Sequence, residues 1–283
     1  MVRKSFIRRL LAGGILLLAI LSCQRDEALD EGFTVLTAEI EDAAKAAVSD
    51  EGVVTWNAGD AISVFTGNGF DSLVLVGEGG SSTGRFSGTT FGPAQAVALY
   101  PASSGHSFDG SSVSFHLADS YTYEENGNAR MPMMALVSGT GTIKFRHIGG
   151  VLKVIYEDVP ATADRFVFTA LGLRVTGNFT APASKNAVLQ AETQTGNGTV
   201  TISFSPDALV TTRTFYVPLP TGTYSDFSVA LYAGSSLLDV HRARNAVNVI
   251  SKGVLLKMPA ITVSDSDFSS VESYWEEIIT WAP

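Results

Sequence analysis

Side chains able to perform chemistry are few in this sequence, and their spacing matches no catalytic or metal-binding pattern. The chain contains one cysteine, Cys23, so it cannot form a disulfide within itself. Its four histidines lack the short spacings of a metal site; they are His106, His116, His147 and His241. No grouping of serine, histidine and acid can be assembled from the sequence. We therefore predict a protein that is not an enzyme and that holds no cofactor and no metal.

The lone thiol lies where an apolar run gives way to polar residues. Basic residues at positions 3, 4, 8 and 9 precede the apolar residues 10–21, a pattern typical of an export signal and too short to span a bilayer comfortably. Ile20, Leu21 and Ser22 before Cys23 resemble a bacterial lipobox, after which the cysteine is lipidated and its new amine acylated. We predict a signal peptide at residues 1–22, a lipidated Cys23 and a tether at residues 23–32. The alternative is an ordinary secreted protein with a stray cysteine.

Removal of the signal makes the chain more acidic. The whole sequence has 19 Lys and Arg against 28 Asp and Glu, and the signal contains four of the basic residues and none of the acidic ones, so the net charge moves from -9 to -13. Such a surface repels nucleic acid and anionic lipid, and we predict no nucleic-acid partner. Later apolar stretches are shorter than the ~18 residues of a transmembrane helix. Acyl chains on Cys23 are therefore the predicted attachment to a membrane.

The remaining chain is patterned as β-strands. Segments of four to eight residues alternate between apolar and polar side chains, and Gly, Pro, Asn or Asp separate them. In "DFSVALYAG", for example, Phe227, Val229 and Leu231 share one face. We predict an all-β protein of two tandem β-sandwich domains, residues 33–141 and 142–263. A second candidate boundary lies at residues 157–164, where Pro160 interrupts strand pairing.

The stretch "TWNAGDAISVF" combines residue types that shape a turn before a strand. Trp56 is suited to fill the edge of a core, Gly59 to adopt a turn conformation closed to other residues, and Asp60 to accept hydrogen bonds from turn amides. An aspartate beside a tryptophan is also compatible with a catalytic acid or a sugar-stacking site. Because no second carboxylate follows at a meaningful spacing, the structural interpretation is favoured.

Four stretches in this order resemble a known family. They are "WNAGDAISVF" at residues 56–65, "ALYPA" at 98–102, "KFRHIGGVLKVIY" at 144–156 and "FYVPLPTGTYSDFSVALY" at 215–232. Together they are similar to the fimbrillin-like (Mfa-like) proteins of Bacteroidetes, subunits of the lipoprotein-derived type V pili. The resemblance implies that both domains are transthyretin-like sandwiches, and that the protein is exported as a lipoprotein to the outer membrane.

The resemblance also implies a mode of assembly. In this family, proteolysis in the first domain can release the first strand, and a strand from a neighbouring subunit fills the groove that remains. Residues 32–41, "GFTVLTAEIE", suit the removable strand, and the loop "DAAKAAVSDEG" after them suits a protease. Polymerising members present an arginine at the maturation site, whereas this chain has none between Arg25 and Arg85. Either a protease cuts at Lys45, or the subunit stays uncut and anchored by its lipid.

The last twenty residues differ from the rest of the sequence. Aromatic and aliphatic residues recur there at three-to-four spacing, which predicts an amphipathic helix over residues 264–283. They are Phe268, Val271, Tyr274, Trp275, Ile278 and Trp281. One hypothesis is a lid on the second sandwich, and the other is an assembly segment, since Trp and Tyr are common at interface hot spots. A donor strand would use Trp275, Ile279 and Trp281, with Glu277 interrupting that face.

Two short motifs complete the predicted sites. "DSL" at residues 71–73 fits the O-glycosylation tripeptide of this phylum, so Ser72 is a candidate acceptor. The four residues after the cysteine are similar to the signal that sends Bacteroidetes lipoproteins to the outer face; they are Gln24, Arg25, Asp26 and Glu27. We predict a surface-exposed, adhesive fimbrial subunit, tip or anchor, with other fimbrial subunits and a host or bacterial surface ligand as partners. The alternatives are a stand-alone glycan-binding lipoprotein and, third, a hydrolase.

Overall fold

The computed structural model describes residues 33–41, 55–89, 94–124, 130–138, 141–244 and 248–263. Every regular element in these ranges is a β-strand, which confirms the predicted all-β class. Within these ranges there is also no helix with the length and apolarity needed to cross a membrane. The helix predicted over residues 264–283 lies outside them.

The strands follow one another closely along the chain. In order they are β1 Phe33–Ile40, β2 Trp56–Asn57, β3 Ala61–Phe65, β4 Phe70–Leu75, β5 Gly79–Ser81, β6 Thr83–Thr89, β7 Ala96–Tyr100, β8 Ser107–Phe108, β9 Ser112–Leu117, β10 Ser120–Thr122, β11 Met133–Val137, β12 Ile143–His147, β13 Gly150–Glu157, β14 Arg165–Arg174, β15 Gly177–Pro182, β16 Glu192–Ser203, β17 Arg213–Leu219, β18 Gly222–Tyr224, β19 Phe227–Ala233, β20 Ser236–Ala243, β21 Asn248–Ile250, β22 Leu255–Lys257 and β23 Ile261–Thr262.

Seven strands close into a barrel in the order β1-β12-β11-β7-β3-β4-β6. Because side chains alternate between the two faces of a strand, one set fills the interior and the other faces outward. In β12, Ile143 and Phe145 are buried in the barrel core, whereas Lys144 is exposed between them. The alternation read from the sequence therefore determines which face of each barrel strand is internal.

Strands of the second half of the chain, together with β10 from the first half, build two sheets around a separate core. One sheet has the order β10-β16-β14-β19-β20, and the other has β17-β13-β22, with β23 also paired to β13. Phe166 of β14 stacks on Phe215 of β17 with ring centroids 4.4 Å apart. The residues of β19 that join this core are Phe227, Val229 and Leu231, which confirms the predicted face.

A three-stranded sheet, β15-β9-β8, covers part of the outer face of the barrel. Phe115 of β9 and Phe179 of β15 share one apolar cluster with Leu99 of β7 and Met134 of β11. The barrel is thus packed on its outside as well as filled inside. The remaining sheets are two-stranded and pair β2 with β5 and β18 with β21.

Strand pairing joins parts of the chain that are far apart in sequence. β9 pairs with β15, and β10 lies parallel to β16. The predicted boundary between residues 141 and 142 stays a prediction. The strand that follows it, β12, pairs with β11 and with β1 in the barrel.

Candidate functional site

β1 is the strand that closes the barrel, and it is paired along both of its edges. Residues 33–39 lie antiparallel to residues 83–89 of β6. Residues 38–40 lie parallel to residues 143–145 of β12. Loss of β1 would therefore leave two unpaired strand edges facing each other across a gap one strand wide, which is the geometry that receives an added strand.

The inward side chains of β1 supply one wall of the barrel core. Ala38 and Ile40 are buried, and Leu36 packs against the same cluster. The residues beside them are aromatic, since Phe86 of β6 lies opposite Leu36 and Phe145 of β12 lies next to Ile40. A gap left by β1 would consequently be lined by apolar rings and would favour alternate apolar side chains in whatever strand replaced it.

Trp56 fixes the shape of this part of the core. It is 1% exposed, and its ring meets those of Phe86, Tyr100 and Phe145 edge to face, with centroids 4.9, 5.3 and 5.5 Å away. Space beside the ring is tight: a Cβ added to Gly84 of β6 would lie 2.9 Å from Cδ1 of Trp56. Phe86 and Phe145, the two rings beside β1, are thus both in edge-to-face contact with Trp56.

Asp60 serves the turn before β3, as the sequence interpretation proposed. The Asn57 N–H donates to Asp60 Oδ2 at 2.8 Å, and the Tyr100 hydroxyl donates to Oδ1 at 2.9 Å. Gly59 has a φ of 82°, a conformation that other residues rarely adopt. Asp60 is 6% exposed, so its oxygens are used by the fold. The structural interpretation of "WNAGD" is confirmed.

Two acidic residues, Glu39 near the end of β1 and Glu41 directly after it, meet basic residues of β12. Arg146 donates from Nε and Nη2 to the carboxylate of Glu41, at 2.6 and 2.7 Å. This hydrogen bond holds the pKa of Glu41 below its usual value. Lys144 Nζ lies 3.7 Å from the carboxylate of Glu39. Both pairs are partly exposed to solvent, so each adds at most about 1 kcal/mol, and the pairing and burial of β1 dominate its retention.

Lys144 and Arg146 also line a groove of about 610 Å³ on the outer face of the barrel. Besides these two cations, we define this β12 groove by three apolar residues and a third cation, namely Met134, Leu136, Ile148 and Lys185. The sequence interpretation missed the groove. Its available signal was the alternation in "IKFRH", which places both β12 cations on one face.

Ser72 is the predicted site residue that the structure describes. It lies in β4, opposite Ser63 of β3, and it is exposed. Its glycosylation stays a prediction at a position that an enzyme could reach. In the described ranges, His, Cys, Asp and Glu do not form any group of three or more that could hold a metal.

The other predicted site residues lie outside the described residues. They are Cys23, Gln24, Arg25, Asp26, Glu27, Lys45, Phe268, Val271, Tyr274, Trp275, Ile278 and Trp281. The roles given to them from the sequence remain predictions. Along the chain, β1 lies between two of these groups, since it follows residues 23–27 and precedes Lys45.

No protein-family model matches the sequence, and no curated protein matches it. Solved structures similar to this chain include two proteins provisionally named as cell adhesion proteins. The one from Bacteroides uniformis is 17% identical, with 84% of this chain and 95% of that chain covered and a TM-score of 0.44. The one from Bacteroides ovatus is 12% identical, with 75% and 87% covered and a TM-score of 0.42.

A third similar structure is the tip fimbrial protein Mfa3 from Porphyromonas gingivalis, with a C-terminal truncation. It is 11% identical, with 77% of this chain and 84% of that chain covered and a TM-score of 0.29. At TM-scores below 0.5 these likenesses carry no argument about this chain. The chain's resemblance to the fimbrillin-like family accordingly rests on its own sequence stretches and their order.

Proposed function

We propose that this protein is a surface-exposed lipoprotein of the outer membrane that serves as a fimbrial subunit, tip or anchor. It assembles with other subunits by strand addition and mediates adhesion to a host or bacterial surface ligand. Residues 1–22 direct export, lipidated Cys23 holds the uncut form in the membrane, and residues 24–27 direct it to the outer face.

The observation that supports strand addition is the position of β1. This strand is inserted between β6 and β12 and covers an aromatic-lined part of the core, yet it is followed by a loop with one basic residue, Lys45. Cleavage in that loop would convert β1 from a covalently attached strand into a bound peptide. A donor strand with apolar residues at alternate positions could then replace it, pairing with both exposed edges.

The uncut protein fits a different place in the same assembly. With β1 retained, the barrel has no vacant position and cannot accept a donor strand there. Such a molecule would remain tied to the membrane through Cys23 and would act as an anchor or as a stand-alone surface protein. Cleavage after Lys45 is therefore the event that separates the two roles.

The deciding experiment identifies the N-terminus of the protein taken from cells by mass spectrometry. A start after residue 45, together with a ladder of oligomers that survives mild detergent, supports a processed subunit. An acylated Cys23 in every molecule supports an anchor. A Lys45→Ala variant should lose the processed form, whereas a Lys45→Arg control should keep it.

Two results would contradict the proposal. One is a released protein that still contains residues 23–45 but carries no acyl chain on Cys23. The other is binding to glycans by a protein that never assembles with itself or with other surface proteins, which would favour the glycan-binding alternative. Protease added to intact cells checks the surface exposure separately.

A further inference from the structure

The β12 groove carries positive charge on a strongly acidic protein. Lys144, Arg146 and Lys185 contribute three cations, and Glu41 is the carboxylate that lines the groove with them. A fourth cation is close by, because Lys252 Nζ lies 3.4 Å from the backbone oxygen of Lys185. The whole chain has a net charge of -9. A local excess of cations on such a surface favours an anionic ligand.

The groove also has an apolar part. Met134 and Ile148 are almost fully buried, while Leu136 is 36% exposed. No aromatic ring lies among the described residues that line it, so it lacks the stacking surface that a sugar-binding site commonly has. Cations around the partly exposed Leu136 match a peptide that combines acidic and apolar residues better than they match a small anion.

The chain itself contains such a peptide. Residues 264–283 hold five acidic residues and no Lys or Arg, and large apolar residues are interspersed among the acids. The acids are Asp265, Asp267, Glu272, Glu276 and Glu277. We propose that residues 273–283, "SYWEEIITWAP", bind in the β12 groove of their own chain. Glu276 and Glu277 meet Lys144 and Lys185, and the neighbouring tryptophans and isoleucines cover Leu136.

The length of the segment allows this placement. Val263 donates to the backbone oxygen of Glu157 at the far end of β13, whereas Ile148 lies just before β13 begins. The nine residue steps from Ile148 to Glu157 span roughly 30 Å at about 3.3 Å per step. Residues 264–272 can cross that distance when extended, which leaves residues 273–283 to fill the groove. Binding within one chain is favoured over binding between copies because a short tether gives an effective concentration near the millimolar range.

The test uses the full mature chain in detergent micelles. A zero-length carbodiimide cross-linker should join Lys144 or Lys185 to Glu276 or Glu277, and peptide mass spectrometry locates the joined residues. Mixing isotope-labelled and unlabelled protein before cross-linking separates links within a chain from links between chains. Because Lys185→Glu also removes one reacting amine, the yield is counted on the Lys144 link alone, which should fall about fivefold, the effect of a surface charge pair near the upper end of its range. Arg85→Glu, at an exposed position of β6 outside the groove, is the charge-matched control and should leave the yield unchanged.

A second readout does not depend on cross-linking chemistry. Docking should shield the two tryptophans of the segment from acrylamide, a neutral quencher, and Lys185→Glu should remove part of that protection while Arg85→Glu keeps it. Equal quenching in both variants overturns the proposal. Cross-links found only between labelled and unlabelled copies also overturn it, because the groove would then be a contact between molecules. Cross-links that place the segment elsewhere on the protein overturn it as well.

Discussion

Ile40 provides a direct measurement of how strongly β1 is held by the barrel core. Its side chain is 5% exposed and packs in the barrel core, and it lies beside Phe145 of β12. Replacing a buried isoleucine with alanine costs about 2–5 kcal/mol, since the side chain leaves a cavity and loses its transfer free energy. For a bound strand this corresponds to a loss of roughly 30-fold or more in affinity.

The assay makes β1 exchangeable without removing it from the protein. A specific protease site is introduced into residues 42–54 of the mature chain, and cleavage leaves β1 bound only by its contacts. A labelled peptide of residues 33–41 is then added, and its incorporation reports exchange and affinity. The Ile40→Ala peptide should bind at least about 30-fold more weakly than the natural sequence. The control is Thr37→Ala, because Thr37 lies between inward-facing residues and points away from the core.

Two results would refute the reasoning. Equal weakening by Ile40→Ala and Thr37→Ala would mean that burial in the barrel core does not hold the strand. The second result is a cleaved, still folded protein that takes up neither the natural nor the altered peptide. It would mean that β1 cannot leave the barrel and that strand replacement at this position does not occur.

Three further outcomes follow from the same region. Gly84→Ala should destabilise the protein by about 1–3 kcal/mol in urea unfolding because its Cβ would press on the core, whereas Gly69→Ala, with open space around it, should be close to neutral. Asp60→Ala should cost about 1–3 kcal/mol, measured in the same way, because a buried tyrosine hydroxyl loses its acceptor. The pKa of Glu41 is lowered in the fold from its ordinary value of 4.5. The stability that this carboxylate adds is therefore fully present well above pH 4.5 and is lost as the pH falls through the lowered pKa. Glu41→Gln should therefore lower the urea midpoint slightly at pH 7, and the difference from the unaltered protein should close as the pH falls through the lowered pKa of Glu41, because protonation then breaks the pair with Arg146.

Local patterns in the sequence predict the strands well because each strand needs only its own alternation. Phe227, Val229 and Leu231 were assigned to one buried face from their spacing, and they lie in one core. The "WNAGD" turn was likewise predictable, since Gly59 and Asp60 act within a few residues of each other. In both cases the physical cause is short-range, so a short sequence window contains it.

Pairing between distant strands could not be predicted in this way. β1 lies parallel to β12, more than a hundred residues later, and no local pattern specifies that register. The β12 groove depends on the same pairing, since its cations come from β12 and from Lys185, which follows β15. A surface assembled from separate parts of the chain leaves only weak traces in any one of them.

The two faces of β12 connect the barrel strand with the groove. Ile143 and Phe145 face the core that β1 covers, while Lys144 and Arg146 face the groove and are paired with Glu39 and Glu41. Departure of β1 would remove both carboxylates and leave the cations unpaired. The groove should then attract an acidic segment more strongly, so that strand loss at the barrel and docking at the groove are coupled.

That coupling can be tested in the cleaved protein by exchanging β1 for one of two peptides. One has the natural sequence of residues 33–41, and the other carries Glu39→Gln and Glu41→Gln, which keeps the shape of the strand and removes its charge. The neutral peptide should raise the cross-linking yield between Lys185 and Glu276 or Glu277 several-fold at low salt, and less at 1 M salt, where the screening length is only about 3 Å. An equal yield with both peptides at low salt would show that β1 and the groove act independently, even if each binds its own strand as proposed.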